Sequence, residues 1–72
     1  MNALRTDAAL QHRIAELLER QPLLTSRKIA EQLDAPMRDV TWEIVVMVHR
    51  RRLVFDGERP ARYRLSEPEV QS

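Results

Sequence analysis

Apolar residues recur at helical spacing in three blocks of the chain and alternate with polar ones in a fourth. In "DAALQHRIAELLER" the residues Leu10, Ile14, Leu17 and Leu18 follow the i, i+4, i+7, i+8 pattern of an amphipathic helix. Thr6 or Asp7 is placed to cap its start, and Gln21 with Pro22 ends it. His12 and Arg13 fall beside this stripe and are read as solvated. The next block, "LLTSRKIAEQLDAP", offers Thr25 and Ser26 as caps for a short second helix that buries Ile29, Ala30 and Leu33. Pro36 either stops that helix or opens the next one, because proline suits a first helical turn and disfavours helix in the residue before it. The two helices are joined by about three residues, the outline of a helix-turn-helix.

A third helix is expected from Pro36 or Met37 to Arg51. Met37, Val40, Ile44, Met47 and Val48 share one face, assigned to the core. The opposite face of "RDVTWEIVVMVHRRR" is also apolar in its second half, with Arg38, Trp42, Val45, Val46 and His49, while Asp39 and Glu43 lie on the flank. Beyond the arginines, "LVFDGERPARYRLS" reads as two short strands, Leu53 to Asp56 and Ala61 to Leu65, around a turn that holds Gly57. Alternation puts Ala61, Tyr63 and Leu65 on one side of the second strand and Arg62 with Arg64 on the other, giving the hairpin one basic face.

A chain of 72 residues builds one small core, so a single domain is expected over 7–66, between a flexible N-terminus, 1–6, and a flexible acidic tail, 67–72. The absence of cysteine removes disulfides, and two separated histidines make no metal site. No basic segment leads into an apolar stretch, and no apolar run approaches the ~18 residues of a membrane span, which points to the cytoplasm. Net charge is only +1, but it is unevenly placed. Residues 50–64 hold six arginines against Asp56 and Glu58, a local surplus of +4. Eleven of the twelve cationic side chains are arginine, whose planar fork suits phosphate and carboxylate. A GC-rich genome would produce the same bias.

Helix, helix, helix and hairpin, in that order, resemble the winged helix-turn-helix family of small bacterial transcription regulators. The resemblance covers residues 7–66 and is carried by "LTSRKIAEQL", "MRDVTWEIVVMVHRR" and "RRLVFDGERPARYRLS". It implies an α+β, mainly helical fold of three helices followed by a two-stranded β-hairpin wing. It also implies binding to double-stranded DNA, with the third helix toward the major groove and the wing on backbone or minor groove. Carried over, the groove residues are Arg38, Thr41, Trp42 and Val45, and the wing residues Arg59, Arg62 and Arg64. Thr25, Ser26, Arg27 and Lys28 would meet phosphate at the start of the second helix.

The outward stripe departs from that pattern, since valine reads no donor or acceptor on a base edge and only Arg38 and Thr41 suit base contact. Three readings follow. The wing and first helix cover Val45 or Val46 within the domain, or the stripe touches DNA, or Trp42, Val45, Val46 and His49 form the interface of a homodimer or with a partner protein. Arg50, Arg51 and Arg52 could serve only the negative end of the helix, but with the wing arginines they resemble a phosphate footprint. No paired carboxylates in a cleft, glycine-rich loop or nucleophile motif speaks for an enzyme, and no cofactor, small-molecule substrate or membrane partner is indicated. The expectation is a small DNA-binding regulator acting as a dimer. The alternative is a protein-interaction module that docks a partner on Trp42, Val45 and Val46 and has no specific DNA binding.

Overall fold

The computed structural model describes residues 6–66; the rest of the expected flexible ends, 1–5 and 67–72, lies outside the described residues. The elements run α1 (Ala8–Arg20), β1 (Leu24–Thr25), α2 (Ser26–Leu33), α3 (Met37–His49), β2 (Leu53–Asp56) and β3 (Arg62–Leu65). The described residues form a small α+β fold, mostly helical, with three helices and a three-stranded antiparallel sheet. None of the described helices is long and apolar enough to cross a membrane.

Each helix begins and ends for a local reason. Asp7 caps α1, its Oδ1 accepting the Leu10 N–H at 3.1 Å. Thr25 caps α2, its Oγ1 accepting the Lys28 N–H at 3.1 Å. α2 ends with Asp34 in the left-handed region at φ 54°, the Asp34 N–H donating to Glu31 and the Ala35 N–H to Ala30. That paired return of backbone bonds is the Schellman arrangement, here with aspartate where glycine is usual. Pro36 opens α3 without a side-chain cap, its carbonyl accepting the N–H groups of Asp39 and Val40. α3 closes by a second Schellman turn, with Arg51 at φ 62° and the N–H groups of Arg51 and Arg52 donating to Val48 and Met47.

The core is Leu10, Ile14, Leu17 and Leu18 of α1, Ile29 and Ala30 of α2, Val40, Ile44 and Met47 of α3, and Leu53 of β2. All four α1 positions expected from the periodicity are therefore inside. Two of the expected α3 positions are not fully buried: Val48 is half-buried, and Met37, in the first turn, lies past the edge of the core and is 45% exposed. Glu43, expected on the flank of the outward face, is buried instead at 3% exposure. Its phase places it about 40° from Met47 and about 60° from Val40, at the edge of the inner side, and hydrogen bonds there satisfy both of its oxygens.

The expected two-stranded wing is part of a larger sheet of order β1-β3-β2. Leu24 pairs with Tyr63 and Thr25 with Arg62, while β2 and β3 pair Leu53 with Leu65 and Phe55 with Tyr63. Thr25 serves both elements because the extended conformation that a helix cap requires, φ −77° and ψ 162°, is also a strand conformation. Two residues carry no period of their own, so the third strand could not be seen as a pattern. Leu24, Leu53, Tyr63 and Leu65 turn toward the core, whereas Phe55 runs beyond its edge and is 54% exposed. The Phe55 and Tyr63 rings tilt against one another at a centroid distance of 6.1 Å.

Candidate nucleic-acid interface

Strand alternation decides which side chains share the outer face of the sheet. The register sets Arg62 opposite Asp56 on one neighbour and opposite Thr25 on the other, and Arg64 opposite Val54. The outer face therefore carries Thr25, Arg62, Arg64, Asp56 and Val54. Arg64 turns to Asp56, its Nε 3.7 Å from Oδ2, which neutralises part of the basic face. Arg62 and Arg59 are exposed, Arg59 in the turn between the strands.

The β1–β3 pairing joins what the separate motifs kept apart. Thr25 is the cap of α2, so the start of that helix lies beside Arg62 across the strand pair. Of the two groups that the sequence offered separately, Thr25 from the start of the second helix and Arg62 from the hairpin are thus cross-strand neighbours. Thr25 and Ser26 are half-buried there, with Arg27 and Lys28 exposed. Lys28 Nζ sits 3.9 Å from Glu31, an exposed pair of the kind that contributes at most about 1 kcal/mol and opens readily to another anion.

The three arginines after α3 are not equivalent. Arg51 occupies the left-handed turn, Arg50 flanks Val46 and Trp42, and Arg52 swings back so that its Nη1 donates to Gln11 Oε1 at 3.3 Å. Gln11 in turn donates from Nε2 to Glu43 Oε1 at 2.7 Å, and Glu43 Oε2 accepts the Asp7 N–H at 2.9 Å. Arg52, expected on phosphate, is thus the outer end of a polar chain that ties α1 to α3. Sequence spacing gave no sign of it, because Gln11 and Arg52 are 41 positions apart.

On α3 itself Arg38 and Thr41 are exposed near the N-terminus, Arg38 with its Nε 3.8 Å from Asp39. Further along, Val45 is 53% and Trp42 39% exposed, and His49 is exposed, while Val46 is half-buried. Among the described residues Val46 is thus partly covered within the domain while Val45 stays largely open, so intramolecular roofing accounts for only part of the outward stripe. A shallow apolar groove between α3 and the hairpin is lined by Val45, Val48, His49, Phe55 and Tyr63. Phe55 was not singled out from the sequence, and its place at the end of β2, where alternation alone would turn it inward, is the reason. No group of three or more histidine or acidic side chains among the described residues could hold a metal ion.

Set beside protein-family models, curated proteins and solved structures, the chain matches none of them.

Proposed function

We propose that this chain is a DNA-binding protein of the winged helix kind, a small transcriptional regulator without catalytic activity. The observation that carries the reading is the cross-strand pair of Thr25 and Arg62, which joins the N-terminus of α2 to the basic face of the sheet. In this reading Arg27, Lys28, Arg59, Arg62 and Arg64 hold phosphates, and backbone N–H groups at the start of α2 assist. Arg38 and Thr41 on the first turns of α3 approach base edges in the major groove, with Arg50 and Arg51 near the backbone.

Fluorescence anisotropy of mixed-sequence duplex DNA at two salt concentrations tests this. Five phosphate contacts give a slope of about −4.5 in log affinity against log salt, so affinity falls about 500-fold between 50 and 200 mM. No binding in low salt at tens of micromolar protein refutes it. A second reading has its own support in the exposure of Val45 and Trp42: a protein-interaction module that docks a partner on α3. Its signature is a complex that forms without nucleic acid and is lost when Val45 is made charged.

A further inference from the structure

The outward side of α3 is ordered by charge along its length. Next to Trp42, toward the N-terminus, a concavity is bordered by Asp7, Asp39 and the edge of the buried Glu43. The middle is apolar, where Trp42, Val45 and Val46 line a second concavity, and the same concavity ends at His49 and Arg50. Asp39 and Arg50 stand eleven residues apart, which at about 100° per residue puts them within about 20° of each other on one flank of the helix. Arg38, exposed at the same end and 3.8 Å from Asp39, lies about 100° away on the other flank, so it is on the flank of Asp39 and Arg50 that an acidic end, an apolar centre and a basic end are complementary to the same surface turned end for end.

We propose that a second copy of this chain occupies this face, with α3 packed antiparallel against the partner's α3 about a twofold axis close to Val45 and Val46. A twofold axis perpendicular to the plane of the two helices keeps each flank on its own side, so Arg50 faces the partner's Asp39 and the exchange occurs twice. The same arrangement sets Trp42 near the partner's His49 and brings Val45 and Val46 each beside its own copy close to the axis, at the 8–10 Å interaxial separation usual for packed helices. Val45 and Trp42, exposed in the single chain, supply the apolar centre that such interfaces need. Charge order is what favours a second copy over an unrelated partner, since a purely apolar stripe would carry no such end-to-end match.

The pairing has a geometric consequence for DNA. α3 has 13 residues, so the first turns of two antiparallel copies lie about 20 Å apart, short of the ~34 Å between successive major grooves. A dimer of this kind seats at most one α3 in a groove at a time, while the outer sheet faces of both copies stay outside the interface. The inference concerns association alone and does not rest on DNA binding.

Sedimentation velocity on the full chain, without DNA, from low to high micromolar concentration tests it, with circular dichroism to show that every variant is folded. The wild type is expected to pass from monomer to dimer across that range. Val45→Glu, at a position already exposed in the monomer, is expected to raise the dissociation constant about tenfold or more. Arg50→Glu and Asp39→Arg each weaken the dimer, and the two together restore it to within about threefold of wild type, because the reversed charges again face one another. A wild type that stays monomeric throughout overturns the proposal. So does a double reversal no better than its singles, which would place the second copy, or another protein, in a different orientation.

Discussion

Replacing Glu43 by leucine keeps the volume of the side chain and removes both acceptors at the centre of the α1–α3 contact. In the native fold Glu43 is 3% and Gln11 4% exposed, and the carboxylate accepts from Gln11 Nε2 at 2.7 Å and from the Asp7 N–H at 2.9 Å. Hydrogen bonds to a charged group contribute about 1.5–3 kcal/mol each, and a buried donor left without a partner costs about 1–3 kcal/mol. Relief of the desolvated carboxylate offsets part of the loss. The Asp7 N–H reaches water because Asp7 is exposed, so the stranded group is the Gln11 amide. A net loss of about 2–4 kcal/mol is expected, read as a lower urea midpoint at unchanged slope. Glu43→Gln should cost less, about 1 kcal/mol. There the Gln11 amide can rotate by half a turn and accept from the new side chain, sacrificing only its bond to the exposed Arg52. Adding Gln11→Leu to Glu43→Leu removes the stranded amide and should recover at least half of the loss, a coupling that a double-mutant cycle measures directly. Strict additivity of the two leucine substitutions, or a Glu43→Leu protein as stable as wild type, would refute the network as drawn.

Arg51 holds φ 62° at the position of a Schellman turn that glycine prefers, so Arg51→Gly is expected to stabilise the fold by about 0.5–1 kcal/mol, the left-handed strain outweighing the flexibility of glycine. Thermal melting would show it as a rise of a few degrees, and a fall in its place would mean that the Arg51 side chain contributes more than its backbone costs. On the DNA side, Arg62→Ala with Arg64→Ala should lower affinity for every duplex and reduce the salt slope by about 2, one unit for each phosphate no longer neutralised. Arg38→Ala should instead narrow the gap between a preferred site and random sequence, as seen in competition titrations. An unchanged gap would remove Arg38 from base reading.

The helical part of this fold was legible because its periods are long enough to repeat. Leu10, Ile14, Leu17 and Leu18 span two turns and all reach the core, and the caps Asp7 and Thr25 were among the residues the sequence offered. What stayed hidden is what periodicity cannot encode. β1 is two residues long and exists because Leu24 and Thr25 meet β3 from far along the chain. Glu43 looked like a flank charge since burial of a carboxylate depends on donors that another helix supplies. Phe55 was not singled out, since alternation fixes only the face of the sheet and not where the core beneath it ends. Of the candidate site, residue types were readable and their grouping was not, because the contact of α2 with the wing passes through the strand that the sequence did not announce.

That grouping also separates two surfaces that the sequence ran together. The arginines of β3 and Thr25, the cap of α2, lie on the outer face of the sheet, on the side away from the core. Trp42, Val45 and His49 lie on the outward side of α3. A cation on the first surface can therefore be removed without touching the second, and a charge placed at Val45 adjoins only the inner-side rings of Phe55 and Tyr63 and not the arginines of the outer face. If the phosphate face alone binds DNA, Val45→Glu keeps its salt-dependent affinity while losing self-association. If α3 enters a groove as far as Val45, the same substitution sets a carboxylate against the phosphates and both properties fall together. One variant measured in two assays thus distinguishes a helix that reads DNA along its length from one whose second half is given over to protein.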